Sequence, residues 1–212
     1  MLALRICLIA LIFASISRAE FQFGTPDDHS GLLSEQPIVA DIPATAPTPA
    51  PTPQPFDKGT WSLELAGSYI THIRWSEDYF TTGSARFSYY VAKNLAFTFG
   101  LSGYLIDQPS EDATGGAFDL GGRLHLLSFD GITIYFDGGG SRIFSDTAVP
   151  EFGTTYNYIG RVGGGATIHL FDNVHLVLGA RYFHLSNGDI HGRVKNPSFD
   201  GIESYAGLLF TF

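Results

Sequence analysis

Apolar and polar side chains alternate along most of the chain after Thr60. In one such run Leu95, Phe97 and Phe99 fall on one face, and Ala96 and Thr98 fall on the other. A period of two residues is typical of β-strands. The chain contains eight such runs, at 60–75, 79–91, 95–106, 116–127, 132–143, 155–170, 174–187 and 202–212. The pattern therefore predicts an all-β fold with eight strands.

The polar face of these runs carries charged residues, and their number indicates which face of the sheet lines the interior and which contacts lipid. They are Glu64, Arg86, Asp119, Arg123, Asp137, Arg161 and Arg181. A soluble barrel turns its apolar face inward, whereas an outer-membrane barrel turns it to lipid and lines its lumen with polar side chains. Seven charges are too many for a soluble barrel core, so we predict an eight-stranded antiparallel transmembrane β-barrel over residues 60–212. A soluble lipocalin-like barrel is the alternative.

The chain ends and the connections agree with this interpretation. The last strand has an apolar stripe that ends in Phe212, which resembles the terminal signature of bacterial outer-membrane barrels. Short turns are predicted at 92–94, 128–131 and 171–173. Longer loops are predicted at 107–115, 144–154 and 188–201, with a shorter one near 76–78. Short periplasmic turns alternate with longer outer loops in such barrels, so both termini should be periplasmic. The interior of a barrel this small is filled by side chains, which argues against a channel.

The first 59 residues predict an export signal followed by a spacer. Arg5, the apolar stretch 6–16 and the small-residue end Ser17-Arg18-Ala19 are typical of a signal peptide over 1–19. About 11 apolar residues are too few for a membrane-spanning helix, which needs ~20. Between 45 and 55 every second residue is proline from Pro47 onward. Such a segment neither pairs in a sheet nor continues a helix, so residues 20–59 should form a largely disordered periplasmic extension.

Charge and cysteine content narrow the choice of partners. The formal net charge is −9 and the chain has only three lysines, which argues against binding to nucleic acid. The one cysteine, Cys7, lies in the predicted signal peptide, so the mature chain should contain no disulfide. The predicted location is the bacterial outer membrane, crossed many times. A homodimer is compatible with the sequence.

Strand seven places two reactive residue types side by side. By alternation His184 and Ser186 lie on the lipid face, near the outer end of the strand. Residues two apart on a strand share a face with Cα atoms ~6–7 Å from each other. An imidazole at that distance can act as general base on a serine hydroxyl. The pair therefore predicts nucleophilic catalysis at the membrane surface.

A histidine base needs an orienting acid, and the developing oxyanion needs donors. Glu203 is the nearest carboxylate on the adjacent strand, and Asp189 and Asp200 are alternatives in the same loop. Alternation places Glu203 on the lumen face, so its contact with His184 would require a bulge or a loop conformation near Ser204, at the start of strand eight. Asn187, or backbone amides near Gly188, could supply the oxyanion donors.

Three short segments of this region match a known family. They are His184-Leu185-Ser186-Asn187, Asn196-Pro197 and Gly201-Ile202-Glu203. Together they resemble the outer-membrane lipid A 3-O-deacylase (PagL) family. The resemblance implies a serine esterase without metal or cofactor, acting on lipopolysaccharide in the outer leaflet. It implies Ser186 as nucleophile, His184 as general base and Glu203 as the acid, with Asn187 as an oxyanion candidate.

The last loop carries three basic or titratable residues that could bind an anion. His191, Arg193 and Lys195 could contact lipid A phosphates, and an ordinary solvated basic loop is the alternative. A non-catalytic structural or adhesive outer-membrane barrel is the second function, and a soluble periplasmic lipid-binding barrel is the third.

Overall fold

The computed structural model describes residues 55–73, 77–190 and 192–212. Each strand pairs antiparallel with the next, and the last pairs with the first to close a barrel. The strands are β1 (Trp61–His72), β2 (Tyr79–Ala92), β3 (Leu95–Asp107), β4 (Ala113–Phe129), β5 (Ile132–Val149), β6 (Thr154–Phe171), β7 (Val174–Ser186) and β8 (Phe199–Thr211). The predicted eight-stranded antiparallel fold is confirmed. The predicted signal peptide and the proline-rich segment up to residue 54 lie outside the described residues.

The two ends of the barrel differ, and we name them by their connections. At the turn end, two residues each join β2 to β3, β4 to β5 and β6 to β7. At the loop end lie the longer connections after β1, β3, β5 and β7. The predicted loops at 107–115 and 144–154 are shorter than expected, since β4 begins at Ala113 and β5 ends at Val149. There Asp146 accepts hydrogen bonds from the backbone N–H (2.7 Å) and hydroxyl (2.6 Å) of Thr114. The outer face of this ladder is polar, and its inner face carries buried apolar side chains such as Ala113 and Val149. The hydrophobicity pattern misses it because this is the reverse of the polarity in the middle of the barrel.

The two faces of the barrel have the polarity of a membrane protein. Outward-facing apolar side chains are well exposed, as at Leu101 (64%) and Leu105 (61%). Inward-facing charged side chains are buried, as at Glu64 (1%) and Arg123 (2%). This inside-out arrangement is that of a transmembrane β-barrel. Within the described segments, no helix is long and apolar enough to cross a membrane.

The lumen holds a network of paired charges beside clusters of buried apolar and aromatic side chains. Its members are Glu64, Asp119, Asp137 and Glu203 with Arg86, Arg123, Arg161 and Arg181. Arg123 lies 2.6 Å from Glu64 and 3.0 Å from Asp137, and Arg181 lies 2.6 Å from Asp137. Four carboxylates and four guanidinium groups are formally neutral together. The charges predicted from the polar faces thus lie inside the barrel, and they pair there.

The chain just before β1 closes the turn end. The Phe56 ring stacks on His125 with 3.9 Å between ring centroids, and only 8% of the residue is exposed. Its carbonyl accepts a hydrogen bond from the Asn94 N–H (2.8 Å), and the Gly59 N–H donates to the Tyr90 carbonyl (2.8 Å). Phe56, which the sequence analysis assigns to the extension, is therefore packed into the end of the barrel.

Replacing Asp137 by alanine should destabilise the barrel by about 3–5 kcal/mol, because Arg123 and Arg181 each lose a close buried carboxylate and the lumen is left with an excess positive charge. The measurement is urea unfolding in lipid vesicles, followed by tryptophan fluorescence. Asp107→Ala removes the same charge at an exposed strand end and should change stability by less than about 0.5 kcal/mol. Equal unfolding midpoints for the two variants would contradict the role of the network.

Candidate active site

The register of β7 against β8 brings a histidine and a carboxylate face to face. His184 on β7 is the direct Cα partner of Asp200 on β8. Both side chains point outward, and Ser186 follows on the same face as the last residue of β7. The site thus lies at the loop end of the barrel, on its outer surface.

Ser186, His184 and Asp200 form a continuous hydrogen-bonded row. The Nε2 atom of His184 lies 3.2 Å from the Ser186 hydroxyl oxygen, and its Nδ1 atom lies 2.8 Å from Oδ1 of Asp200. The side chains of His184 and Asp200 are 29% and 27% exposed. In the neutral imidazole that fits both contacts, Nδ1–H donates to the carboxylate and Nε2 accepts from the hydroxyl. This is the order of nucleophile, base and orienting acid found in serine hydrolases.

Tyr182 is a fourth member of the row that the sequence analysis misses. Its hydroxyl donates to the same carboxylate oxygen of Asp200 that receives the His184 N–H. Tyr182 and His184 are two residues apart on one strand face, so both reach across to β8. The signal for Tyr182 was present in the alternation, because it lies on the same predicted face as His184 and Ser186.

The structure corrects the assignment of the acid to Glu203. This residue is 4% exposed and lies in the lumen, where it accepts a hydrogen bond from the Ser68 hydroxyl (2.9 Å). Its other carboxylate oxygen lies 3.3 Å from Nε of Arg161. The pairing of β7 with β8 has no bulge, so residues 200 and 203 must point to opposite faces. Asp200, one of the two alternatives, therefore contacts His184.

The side chain of Asn187, the oxyanion candidate, points into the barrel end and not toward the serine. It is 1% exposed, and its amide nitrogen donates to the Thr154 hydroxyl (3.2 Å) and to the Lys195 carbonyl (2.6 Å). Both N–H groups of the amide are thus used to hold the loop between β7 and β8. The structure places no side-chain donor of Asn187 at Ser186.

Asn196 braces the same loop from its other side. Its side-chain oxygen accepts from the Asn187 N–H (2.8 Å), and its amide nitrogen donates to Asp189 (2.7 Å). Asp189, the other alternative acid, is thereby held away from His184. Gly188 follows in the chain two residues after Ser186, is exposed, and has a φ of 66° that glycine adopts readily.

The two basic candidates of the loop remain on the surface. Arg193 and Lys195 are exposed in a short 3-10 turn, and His191 lies outside the described residues. Neither basic side chain forms an ion pair with another described residue. Across the described segments, no cluster of three or more His, Cys, Asp or Glu could hold a metal ion.

Comparison with known proteins supports the fold. No protein family and no curated protein matches the chain in sequence. The N-terminal β-barrel domain of Pseudomonas aeruginosa OprF is 12% identical with a TM-score of 0.51, over 73% of this chain and 98% of that one. Neisserial surface protein A is 16% identical with a TM-score of 0.53, over 72% and 96%. The outer membrane enzyme PagL is 18% identical with a TM-score of 0.48, over 70% and 98%. The fold is that of eight-stranded outer-membrane barrels, which supports an outer-membrane location.

The geometry predicts that the reactivity of Ser186 depends on Asp200 and not on Glu203. Asp200→Asn should slow labelling of Ser186 by a fluorophosphonate probe by about 10²–10⁴-fold, because His184 loses the acceptor that orients it as a base. Labelling rates of the full chain in detergent would be measured by mass spectrometry.

Glu203→Gln is the matched control, since it changes a carboxylate to an amide on the lumen face of the same strand. Its labelling rate should stay within about two-fold of the wild type, because the glutamine amide oxygen can still accept the hydrogen bond of Ser68 and the backbone pairing of β8 with β7 is unchanged. A slow Glu203→Gln variant beside an unaffected Asp200→Asn variant would return the acid role to Glu203.

Proposed function

We propose that the protein is an outer-membrane serine esterase that removes the 3-O-linked acyl chain of lipid A. Ser186 is the nucleophile, His184 the general base, and Asp200 the acid that orients the imidazole. The observation that carries this proposal is the hydrogen-bonded row of these three side chains on the outer surface of the barrel. The resemblance of residues 184–203 to the lipid A 3-O-deacylase family supplies the substrate.

The reaction is acyl transfer to water through two tetrahedral intermediates. Nε2 of His184 takes the hydroxyl proton of Ser186 as its oxygen attacks the ester carbonyl carbon. His184 then gives this proton to the 3-oxygen of the sugar, which leaves as the alcohol, and the acyl group stays on Ser186. A water molecule, deprotonated by His184, attacks the acyl-serine, and His184 returns that proton to the Ser186 oxygen as the fatty acid leaves. Asp200 remains ionised throughout and stabilises the imidazolium.

The oxyanion donor in this proposal is the backbone N–H of Gly188. The side-chain N–H groups of Asn187 are engaged with Thr154 and Lys195, which leaves the main chain after Ser186 as the source. Backbone N–H groups near a nucleophile commonly serve this role. The bracing of the loop by Asn187 and Asn196 would hold this N–H in place before the substrate binds.

The position of the site favours a membrane lipid over a soluble ester. Ser186 and His184 lie on the face that carries the exposed apolar side chains, and the acyl chains of a lipid lie along the same surface. A lipid in the outer leaflet therefore presents its ester to the serine without leaving the membrane. Such barrels have short turns at the periplasmic side and longer loops outside, so the loop end is the outer end in this proposal.

Expression of the wild type should remove one 3-hydroxyacyl chain from lipid A, and Ser186→Ala should abolish the change. Mass spectrometry of lipid A extracted from cells that express each variant measures the loss. Ser204→Ala is the matched control, because Ser204 is an exposed serine on the same outer face of β8. An unshifted lipid A spectrum for folded wild type would instead favour the non-catalytic structural barrel.

A further inference from the structure

Arg142 lies on the outer surface of the barrel, level with the proposed nucleophile Ser186 and two strands away from it. It is the Cα partner of Tyr158 on β6, and Tyr158 is the Cα partner of Ser186 on β7. Neighbouring strands are ~4.8 Å apart, so Arg142 and Ser186 are separated by about 10 Å at their Cα atoms. An arginine side chain at that distance can reach a group on the same lipid molecule.

Arg142 differs from every other arginine or lysine in the described strands. Four arginines point into the lumen and pair with carboxylates there. Arg142 is exposed on the outside and has no carboxylate partner among the described residues. An unpaired cation on this face is unfavourable in the apolar part of a membrane and is tolerated near the headgroups. A negatively charged headgroup is the partner that this position offers.

Aromatic rings hold the guanidinium group of Arg142 from the loop-end side. Its central carbon lies 4.3 Å from the ring centroid of Tyr156 and 5.2 Å from that of Phe144. The hydroxyl of Tyr156 is 2.7 Å from that of Tyr158, and Tyr158 is the strand neighbour of Ser186, so the aromatic side chains extend from Arg142 to Ser186. Stacking on rings fixes the plane of a guanidinium and leaves N–H groups at its edge for an anion. Phosphate accepts two such hydrogen bonds at once.

An open groove lies next to Arg142 on the surface between β4 and β6. Its volume is about 450 Å³, and its walls are mainly apolar. It is lined by Phe118, Leu120, Gly140, Ser141, Arg142, Tyr158 and Ile159. Leu120 and Gly140 lie on the turn-end side of Arg142, toward the middle of the membrane. A cation at one end and apolar walls toward the other match a phosphorylated lipid with its chain directed into the membrane.

We propose that Arg142 binds a phosphate of the lipid substrate and that an acyl chain of the same molecule lies in this groove. The identity of the substrate rests on the function proposed above. The groove reaches the catalytic row directly, because Gly140 is the Cα partner of Gly160, and Gly160 is the Cα partner of His184. The two glycines place no side chain between the groove and the imidazole. Arg142 thus fixes the position of the lipid, and through it the position of the scissile ester.

Arg142→Gln should raise the KM for bisphosphorylated lipid A about ten-fold or more and leave kcat unchanged, because the lost contact is made equally before and during the reaction. For lipid A stripped of both phosphates, KM should be the same for wild type and variant. The assay uses the purified full chain in a phosphate-free neutral detergent. Arg142→Lys should recover part of the affinity, and Lys93→Gln removes one positive charge from an exposed turn-end residue as the control.

A binding measurement separates this proposal from the catalytic one. Ser186→Ala should retain bisphosphorylated lipid A in native mass spectrometry, and Ser186→Ala combined with Arg142→Gln should lose it. This loss would support the Arg142 site even if the wild type hydrolysed no lipid A.

Equal retention of bisphosphorylated lipid A by both variants, or an equal KM of wild type and Arg142→Gln for this lipid, would overturn the proposal. A KM change as large with the dephosphorylated lipid would also overturn it. So would Arg142-dependent retention of phosphatidylglycerol in preference to lipid A, because the phosphate would then belong to a neighbouring lipid.

Discussion

Between β7 and β8 the paired residues run from Val174 opposite Phe210 to Leu185 opposite Phe199 without a bulge. In an antiparallel pair with this register, each residue faces the same side as its partner. His184 therefore meets Asp200 on the outer surface, and Arg181 meets Glu203 in the lumen. A shift of β8 by one residue against β7 would turn Asp200 into the lumen and Glu203 to the outer surface. The candidate site and the lumen network thus depend on the same set of backbone hydrogen bonds.

The lumen network stabilises that register from inside. A strand pair slips easily when neither face prefers an environment, and it is fixed when one face is specified. Here Glu203 lies 3.3 Å from Arg161 on β6 and accepts a hydrogen bond from Ser68 on β1. A slip of β8 would leave buried arginines opposite the wrong side chains. Because separating such charges is strongly unfavourable, the network holds β8, and with it Asp200, in one position against His184.

The alternation of apolar and polar residues predicted most of the fold, and it failed at the loop-end parts of β4 and β5 and in the segment before β1. It gave the eight strands, the outward faces of His184 and Ser186, and the inward face of Glu203. It missed the upper parts of β4 and β5, where residues such as Thr114 and Asp146 pair above the apolar belt. There the outer face is polar and the inner face is apolar and buried, as at Ala113 and Val149, so the polarity of the two faces is the reverse of that in the middle of the barrel. Phe56 was missed for a different reason, because a single aromatic residue after a proline-rich stretch has no periodicity.

The assignment of the acid shows how a family resemblance and a local pattern can disagree. The resemblance indicated Glu203, and parity placed that residue in the lumen unless a bulge intervened. The strand is regular, and parity prevailed. Alternation gave the face on which Tyr182 lies, but the hydrogen bonds of Tyr182 and Asn187 could not be predicted from the sequence in the same way. Each depends on which rotamer reaches across to a neighbouring strand or loop, and strand periodicity fixes only the face from which a side chain starts.

The candidate hydrolytic site on the outside of the barrel also places particular demands on its polar groups. Hydrogen bonds between charged groups strengthen when water is displaced, but an unpaired charge next to lipid is unfavourable. The charge of Asp200 is satisfied within the chain, since Asp200 accepts hydrogen bonds from His184 and Tyr182 at the surface. The charge of Arg142 is stabilised by two aromatic rings but is not neutralised by them. Two charged groups face outward near Ser186. The charge of Asp200 has its hydrogen-bond partners within the chain, whereas the charge of Arg142 would be neutralised by an anionic lipid.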